Sequence, residues 1–545
     1  MENIKELIQL LERNKARHID VIGYGRGLIP SMLNDFYTQM LSGNIRSDSD
    51  AAQYFFQSDP SEQAYRKLKT RFKNRLLNTL FFLNVKQSNY TEANRAYLIC
   101  LKQMYAVRIL FNRGAVNMAM ELAHRVLKQS TLFEFTELSL DACKMLRSLY
   151  ATRMPDARKF SHYHSLTKTL TRQCDLESQA QGCYLLLAAN FAHSKASSAT
   201  TLEQAKEFIQ ALQEESRDKP SFHFQRYYLQ IVTLVAMCQN DYRKARQVSQ
   251  EALDWIHTKP FNAPSVKTFF HFQMIACCTY LRDYTEGLKI AEINLLQEKN
   301  GSLNWFKNRE LSFILAMHTG NYQQAYHIYL QVVHHLEFKR MDMSIVEQWK
   351  IFEAYVMYLK TIGKVETTPE EIGNNFRLGK FLNEVPIFSR DKQGMNIPIL
   401  ILQIMFTIAQ RRYEMALDRI EAIKKYCTRY LQKDDTYRSN LFIRMLLEIP
   451  QVGFHRTAVA RQVQPWKEKL EGLPLEMAQK GRHFEVIPYE DLWTMALDSL
   501  HSKVYAQNFN QLYKGRVQLP VNDPSPFDNK AIKKMPKSKN NRTRL

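Results

Sequence analysis

Thr319-Gly320-Asn321-Tyr322-Gln323-Gln324-Ala325 is the stretch on which the fold turns. A Gly-Asn pair after an apolar run is a place for one helix to stop and another to start. Beyond Ala325, Tyr329 and Val332 continue one face at i+4 and i+7, so a second amphipathic helix follows at once. The same pattern of polar turn, aromatic or apolar residue, and small residue three positions later returns elsewhere. It reads Gln239-Asn240-Asp241-Tyr242-Arg243-Lys244-Ala245, Leu281-Arg282-Asp283-Tyr284-Thr285-Glu286-Gly287 and Gln410-Arg411-Arg412-Tyr413-Glu414-Met415-Ala416. An earlier copy is Arg113-Gly114-Ala115-Val116-Asn117-Met118-Ala119. Each is the mark of a helical hairpin. The aromatic side chain packs between two helices, and the small residue lets them approach closely.

The anchors at positions 116, 242, 284, 322 and 413 lie 126, 42, 38 and 91 residues apart, near multiples of one unit. Weaker turns near Pro155-Asp156-Ala157, Thr200-Thr201-Leu202 and Gly363-Lys364 fill the gaps. A hairpin leaves one apolar face uncovered, so neighbours must stack, and the expected product is an α-solenoid. Gly320, Asn321, Tyr322, Ala325, Tyr329 and Val332 resemble the inter-helix turn and second helix of the tetratricopeptide repeat. The family's first-helix Trp, Leu and Gly pattern and its closing Pro are absent, and the unit is longer than about 34 residues. HEAT-type repeats are the structural rival. The resemblance implies an all-α, right-handed superhelical array of antiparallel hairpins with a concave surface for partners, no catalysis and no cofactor.

Composition agrees with helix. Among 545 residues there are only 17 Gly and 17 Pro, while helix-favouring side chains fill long stretches. With 45% hydrophobic residues the chain has apolar surface enough for a core, which excludes collagen-like, disulfide-scaffold and low-complexity classes. The eight cysteines form no C-x-x-C pair and read as reduced core residues. The start, MENIKELIQLLERNKARH, lacks the apolar stretch of a secretory signal, and the most apolar run, Ile397 to Ala409, is too short to span a bilayer. These features point to a cytoplasmic protein, and the general look of the chain suggests a bacterial one.

Three regions are expected. Residues 1–85 form an N-terminal helical cap, with Ser47 and Asp48 opening a short helix and Asp59-Pro60-Ser61 a longer one. Residues 86–510 form the solenoid. Residues 511–545 form a disordered basic tail, in which Lys530, Lys533, Lys534, Lys537, Lys539, Arg542 and Arg544 meet no acidic residue from Asn529 onward.

Catalytic chemistry finds little support. Gly23-Tyr24-Gly25-Arg26-Gly27 lacks the third glycine of a dinucleotide loop, because Leu28 follows. His162 with His164 and His334 with His335 are the close histidine pairs, and their spacing points the rings to different helix faces rather than to one metal. No metal or cofactor site is expected, and the chain reads as a non-enzyme. Two basic neighbourhoods remain. Arg390, Lys392, Arg429, Arg438, Asn440 and Arg444 lie in a segment with fourteen basic and eight acidic residues between 372 and 456, and could grip acidic side chains of a partner. Arg66, Lys67, Lys69, Arg71, Lys73 and Arg75 interleave with the stripe Leu68, Phe72, Leu76 and Leu80, presenting cations outward beside a faint helix-turn-helix outline.

The net charge of +21 favours polyanionic partners. The expected function is a protein-interaction scaffold or adaptor that binds another protein or peptide, acidic in kind. The alternative is a nucleic-acid-associated regulatory protein using the 66–75 helix and Lys533, Lys534, Lys537 and Lys539 of the tail. Solvated surface charge is the plain reading of each basic patch.

Overall fold

The computed structural model describes residues 4, 5, 8, 32–80, 91–193, 199–213, 220–366, 396–430, 437–473, 475 and 485–500. Among these the chain is all-helical: twenty α-helices, two short 3₁₀ turns and no strand. Two compact units are present, Met1–Leu176 with Lys259–Ala263, and Glu177–Thr258 with Pro264–Leu545.

The first unit holds α1 (Met32–Leu41), α2 (Asp48–Phe56) and α3 (Gln63–Thr79), with Ile4 and Ile8 buried in the same core. Ser47 opens α2 by a reciprocal cap, its hydroxyl accepting from the Asp50 amide while the Asp50 carboxylate accepts from the Ser47 amide. Phe36 stacks on Phe72 at 4.5 Å, and Ala51, Ala52, Tyr65, Leu68 and Leu76 complete a small core. Next come α4 (Glu92–Asn112), α5 (Val116–Leu132), α6 (Thr136–Thr152) and α7 (Ala157–His193), of which α7 continues past the boundary. Cys100, Met104, Val107, Ala123, Val126, Ala142, Cys143 and Leu146 pack between them.

The second unit continues with α8 (Ala199–Leu212), α9 (Phe222–Cys238), α10 (Tyr242–His257), α11 (Pro264–Tyr280) and α12 (Tyr284–Leu295). Then follow α13 (Leu303–His318), α14 (Tyr322–Val333), α15 (Met343–Thr361) and α16 (Asn396–Ala409). The last four are α17 (Tyr413–Tyr430), α18 (Tyr437–Glu448), α19 (Arg456–Glu471) and α20 (Tyr489–Ser499). Helices pack on their sequence neighbours, and alternate helices also meet, α4 with α6, α9 with α11, and α11 with α13. That packing is compatible with a helical-repeat protein.

One turn is used again and again. Gly114, Glu134, Asn240, Arg282, Gly320, Gly363 and Arg411 all have left-handed backbones, with φ between 54° and 80°. In each case the next residue's amide reaches the carbonyl five positions back, as Asp241 to Ala236, Asp283 to Cys278 and Asn321 to Ala316, all at 2.9 Å. This closure satisfies a carbonyl that the helix end would leave bare and points the chain back along its own path. A left-handed backbone costs a non-glycine residue about 1–2 kcal/mol. Asn240, Arg282 and Arg411 accept that cost, so the packing beyond the turn must offset it.

The packing is visible three residues after each anchor. Ala119, Ala245, Ala325 and Ala416 have no exposed surface. At Gly287 even a methyl would be too much, because a Cβ there would lie 2.6 Å from Leu315 Cδ2 and 2.9 Å from Cys278 Cβ. The anchors reach the following hairpin rather than only their own. Tyr242 stacks on Tyr280 of α11, and the Tyr413 ring meets Phe454 at a tilt, both at 4.4 Å. The seven cysteines whose side chains are described are free thiols, and burial pushes those of Cys100 and Cys143 up to about 11 and that of Cys277 to about 12. Among the described residues no helix is long and apolar enough to cross a membrane.

Candidate interaction surfaces

α3 buries Tyr65, Leu68, Phe72, Leu76 and Thr79, so the apolar stripe read from the sequence is this helix's inner face. Its six cations flank that face. Lys69 is taken by Asp48 at the start of α2, at 2.6 Å, and the Tyr65 hydroxyl donates to the same carboxylate. Partial burial opposes the charge on Asp48, but Lys69 and Tyr65 outweigh it and hold the carboxyl below its ordinary range. Arg75 is half-buried. Arg66, Lys67, Arg71 and Lys73 are exposed, and among the described residues no carboxylate stands within ion-pair distance of them.

The second basic neighbourhood is organised differently. Arg390 and Lys392 lie outside the described residues, as do Lys533, Lys534, Lys537, Lys539 and the glycine loop at 23–27. Arg429 falls within α17 at a position whose side chain is not described. Arg438, expected on a groove wall, is an interior residue with 1% of its surface exposed. Its Nε donates to Glu485 Oε1 at 2.7 Å and its Nη2 to Glu485 Oε2 at 3.1 Å. Nη2 also donates to both oxygens of Glu490 at 2.9 Å, while Nη1 serves the carbonyls of Leu470 and Leu473 at 2.9 Å each. A guanidinium so occupied has nothing left for an outside carboxylate. Asn440 is half-buried, and Arg444 lies over the Trp466 ring at 4.5 Å.

Sequence reasoning missed the other half of this cluster, Glu485, Glu490 and His318. Burial raises the Glu485 carboxyl despite the opposing pull of Arg438, and the same carboxylate accepts the Tyr489 amide at 3.0 Å. His318, at the end of α13, donates from Nε2 to the Glu485 carbonyl at 2.6 Å. Burial pushes its imidazole down to about 4, so it is neutral at pH 7. The cluster ties α13, α18 and the start of α20 together and is structural in its geometry.

A surface that sequence reading passed over lies on α4. Tyr97, Leu101, Tyr105 and Ile109 recur at every fourth residue and are 40%, 41%, 60% and 44% exposed. They run along one flank of the helix, adjoining the buried Ala96, Cys100, Met104 and Val107, and Tyr97 at its start meets the Phe135 ring edge-on at 5.2 Å. Arg108 beside it holds Asp141 of α6 at 2.6 Å.

No family model matches the sequence, and no curated protein or solved structure matches it either.

Proposed function

We propose that the protein is a non-catalytic, cytoplasmic interaction scaffold, a divergent tetratricopeptide-like array that holds another protein through an apolar contact on its first described hairpin. The observation that carries this reading is the α4 stripe. Large apolar side chains left half in water along three turns of one helix are a patch with an interaction to make, not scattered exposure. Covering each would contribute on the order of 1 kcal/mol, enough in sum to anchor a peptide helix laid along α4. The repeated turns support the same reading, because arrays of hairpins present broad surfaces on rigid elements.

The test is comparative affinity purification after cross-linking in the source cell, with the wild-type chain beside Tyr97→Ser/Leu101→Ser/Ile109→Ser. Leu101 and Ile109 are exposed while Tyr97 also meets Phe135 edge-on, so circular dichroism first checks that the triple variant keeps its fold. A protein recovered in near-stoichiometric amount with the wild type and lost with the variant supports the scaffold. Equal recovery by both sets the α4 stripe aside.

A further inference from the structure

We propose that the outer face of α3 binds the phosphodiester backbone of a nucleic acid. The helix contains six Lys or Arg and not one Asp or Glu. Arg66 and Lys73 lie along one flank, two turns or about 10 Å apart, and Lys67 and Arg71 along the other, one turn or about 6 Å apart. Between the flanks Gln63, Thr70 and Asn74 are exposed, supplying amide and hydroxyl donors on the same face. The result is a strip of charge-assisted and neutral donors with no acceptor carboxylate among them.

Two observations select a nucleic acid over the other anionic surfaces. The apolar side of α3 is spent on Phe36, Ala51, Ala52 and their neighbours in the core, so the helix has no apolar face to sink into a lipid bilayer. Its outer face carries no aromatic residue and only Leu77 as an exposed apolar one, whereas protein interfaces are anchored by aromatic and apolar side chains at their centre. A polar, cation-rich, unanchored strip is what a phosphate backbone meets, since backbone contacts position the duplex by charge and hydrogen bonds alone. Lys69 has another use: through Asp48 it ties α2 to α3 beneath the strip. Nothing on the face distinguishes one base sequence from another, so the binding is of the sequence-independent kind.

The salt dependence follows from the count. Four phosphates neutralised by Arg66, Lys67, Arg71 and Lys73 give a slope of about −3.6 in log K against log salt concentration on a duplex. The full chain is titrated into a fluorescein-labelled, mixed-sequence DNA duplex, and anisotropy is read at several salt concentrations between about 50 and 200 mM. The wild type is compared with Arg66→Gln/Lys67→Gln/Arg71→Gln/Lys73→Gln, whose side chains are exposed and whose fold is checked by circular dichroism. The expected result is a variant at least about tenfold weaker at the lowest salt, with its slope shallower by about 3 to 4. Equal affinity and slope in the two proteins overturn the proposal, even if both bind through another basic segment. Vesicles containing phosphatidylserine serve as the second probe. Binding of the wild type to vesicles but not to duplex assigns the strip to lipid and overturns it as well. The α4 stripe plays no part here, so its triple variant should bind duplex as the wild type does.

Discussion

Replacing Arg438 by Met would keep much of the side-chain volume and remove the charge around which α18, α20 and the Leu470–Leu473 carbonyls are arranged. Breaking a buried pair by deleting one partner typically costs about 3–5 kcal/mol, because the other charge stays buried without compensation. Glu485 is the charge left behind, and its side chain is only 8% exposed. The pH dependence has a definite sign. A carboxyl raised in the folded state above its unfolded value of about 4.3 binds more protons folded than unfolded, so stability is intact below that value and falls as pH rises through the folded one. Burial already raises Glu485 with Arg438 present. Without the guanidinium it rises further, so the deficit of the variant is largest near neutrality and shrinks as the pH approaches the ordinary carboxyl range. Urea unfolding followed by tryptophan fluorescence at several pH values measures this. Trp255, Trp305, Trp349, Trp466 and Trp493 are all five tryptophans of the chain, and all lie in the second unit. Adding Glu485→Gln to Arg438→Met should recover part of the loss. A cost below about 1 kcal/mol, or one independent of pH, would refute the account of this cluster as a buried ionic clasp.

Other consequences are simpler to check. Gly287→Ala should destabilise the second unit by about 1–3 kcal/mol, since the new methyl overlaps Leu315 and Cys278. Gly182→Ala, with open space around it within α7, should instead stabilise by about 0.5–1 kcal/mol, and the pair is read by thermal melts. Asp283→Ala removes the cap on the Glu286 amide and the partner of Arg246, and should cost about 1 kcal/mol in urea. His318, held down to about 4, contributes stability that is lost as pH falls from its unfolded value of about 6.5 toward the folded one. An NMR titration should show its ring unchanged between pH about 5 and 8.

What could be read from the sequence depended on how locally each feature is specified. The turns at Gly114, Asn240, Arg282, Gly320 and Arg411 announce themselves within seven residues, because the left-handed residue, the anchor and the small residue are all nearby. Phe133-Glu134-Phe135-Thr136 escaped notice although it closes in the same way, with the Phe135 amide on the Ser130 carbonyl at 2.8 Å. Its small residue is Ser139, a polar type made harmless by a hydroxyl contact with Ser130 at 2.8 Å. The α3 stripe was legible because i and i+4 positions define a face by geometry alone. Arg438 was misplaced because its carboxylates lie 47 and 52 residues downstream, and nothing near Tyr437-Arg438-Ser439-Asn440 distinguishes an interior guanidinium from a solvated one. On α4 apolar residues surround the helix, so periodicity could not say which of them the core would leave outside.

The contact of Glu485 with His318 joins residues 167 apart, and that of the Leu475 carbonyl with the Tyr242 hydroxyl residues 233 apart. Most other packing in this chain is between sequence neighbours, and such arrays can fray from an end, each unit detaching without asking the rest. Here Leu475 and the residues from 485 to 500 return to turns laid down far earlier, at Tyr242, at Arg282 through Asp491, and at His318. Those turns must be in register before the returning segment finds them, which places its docking late in folding. Once docked, it makes loss of any one of those hairpins the concern of all of them, so a chain assembled piece by piece comes apart in its second unit as a single cooperative body.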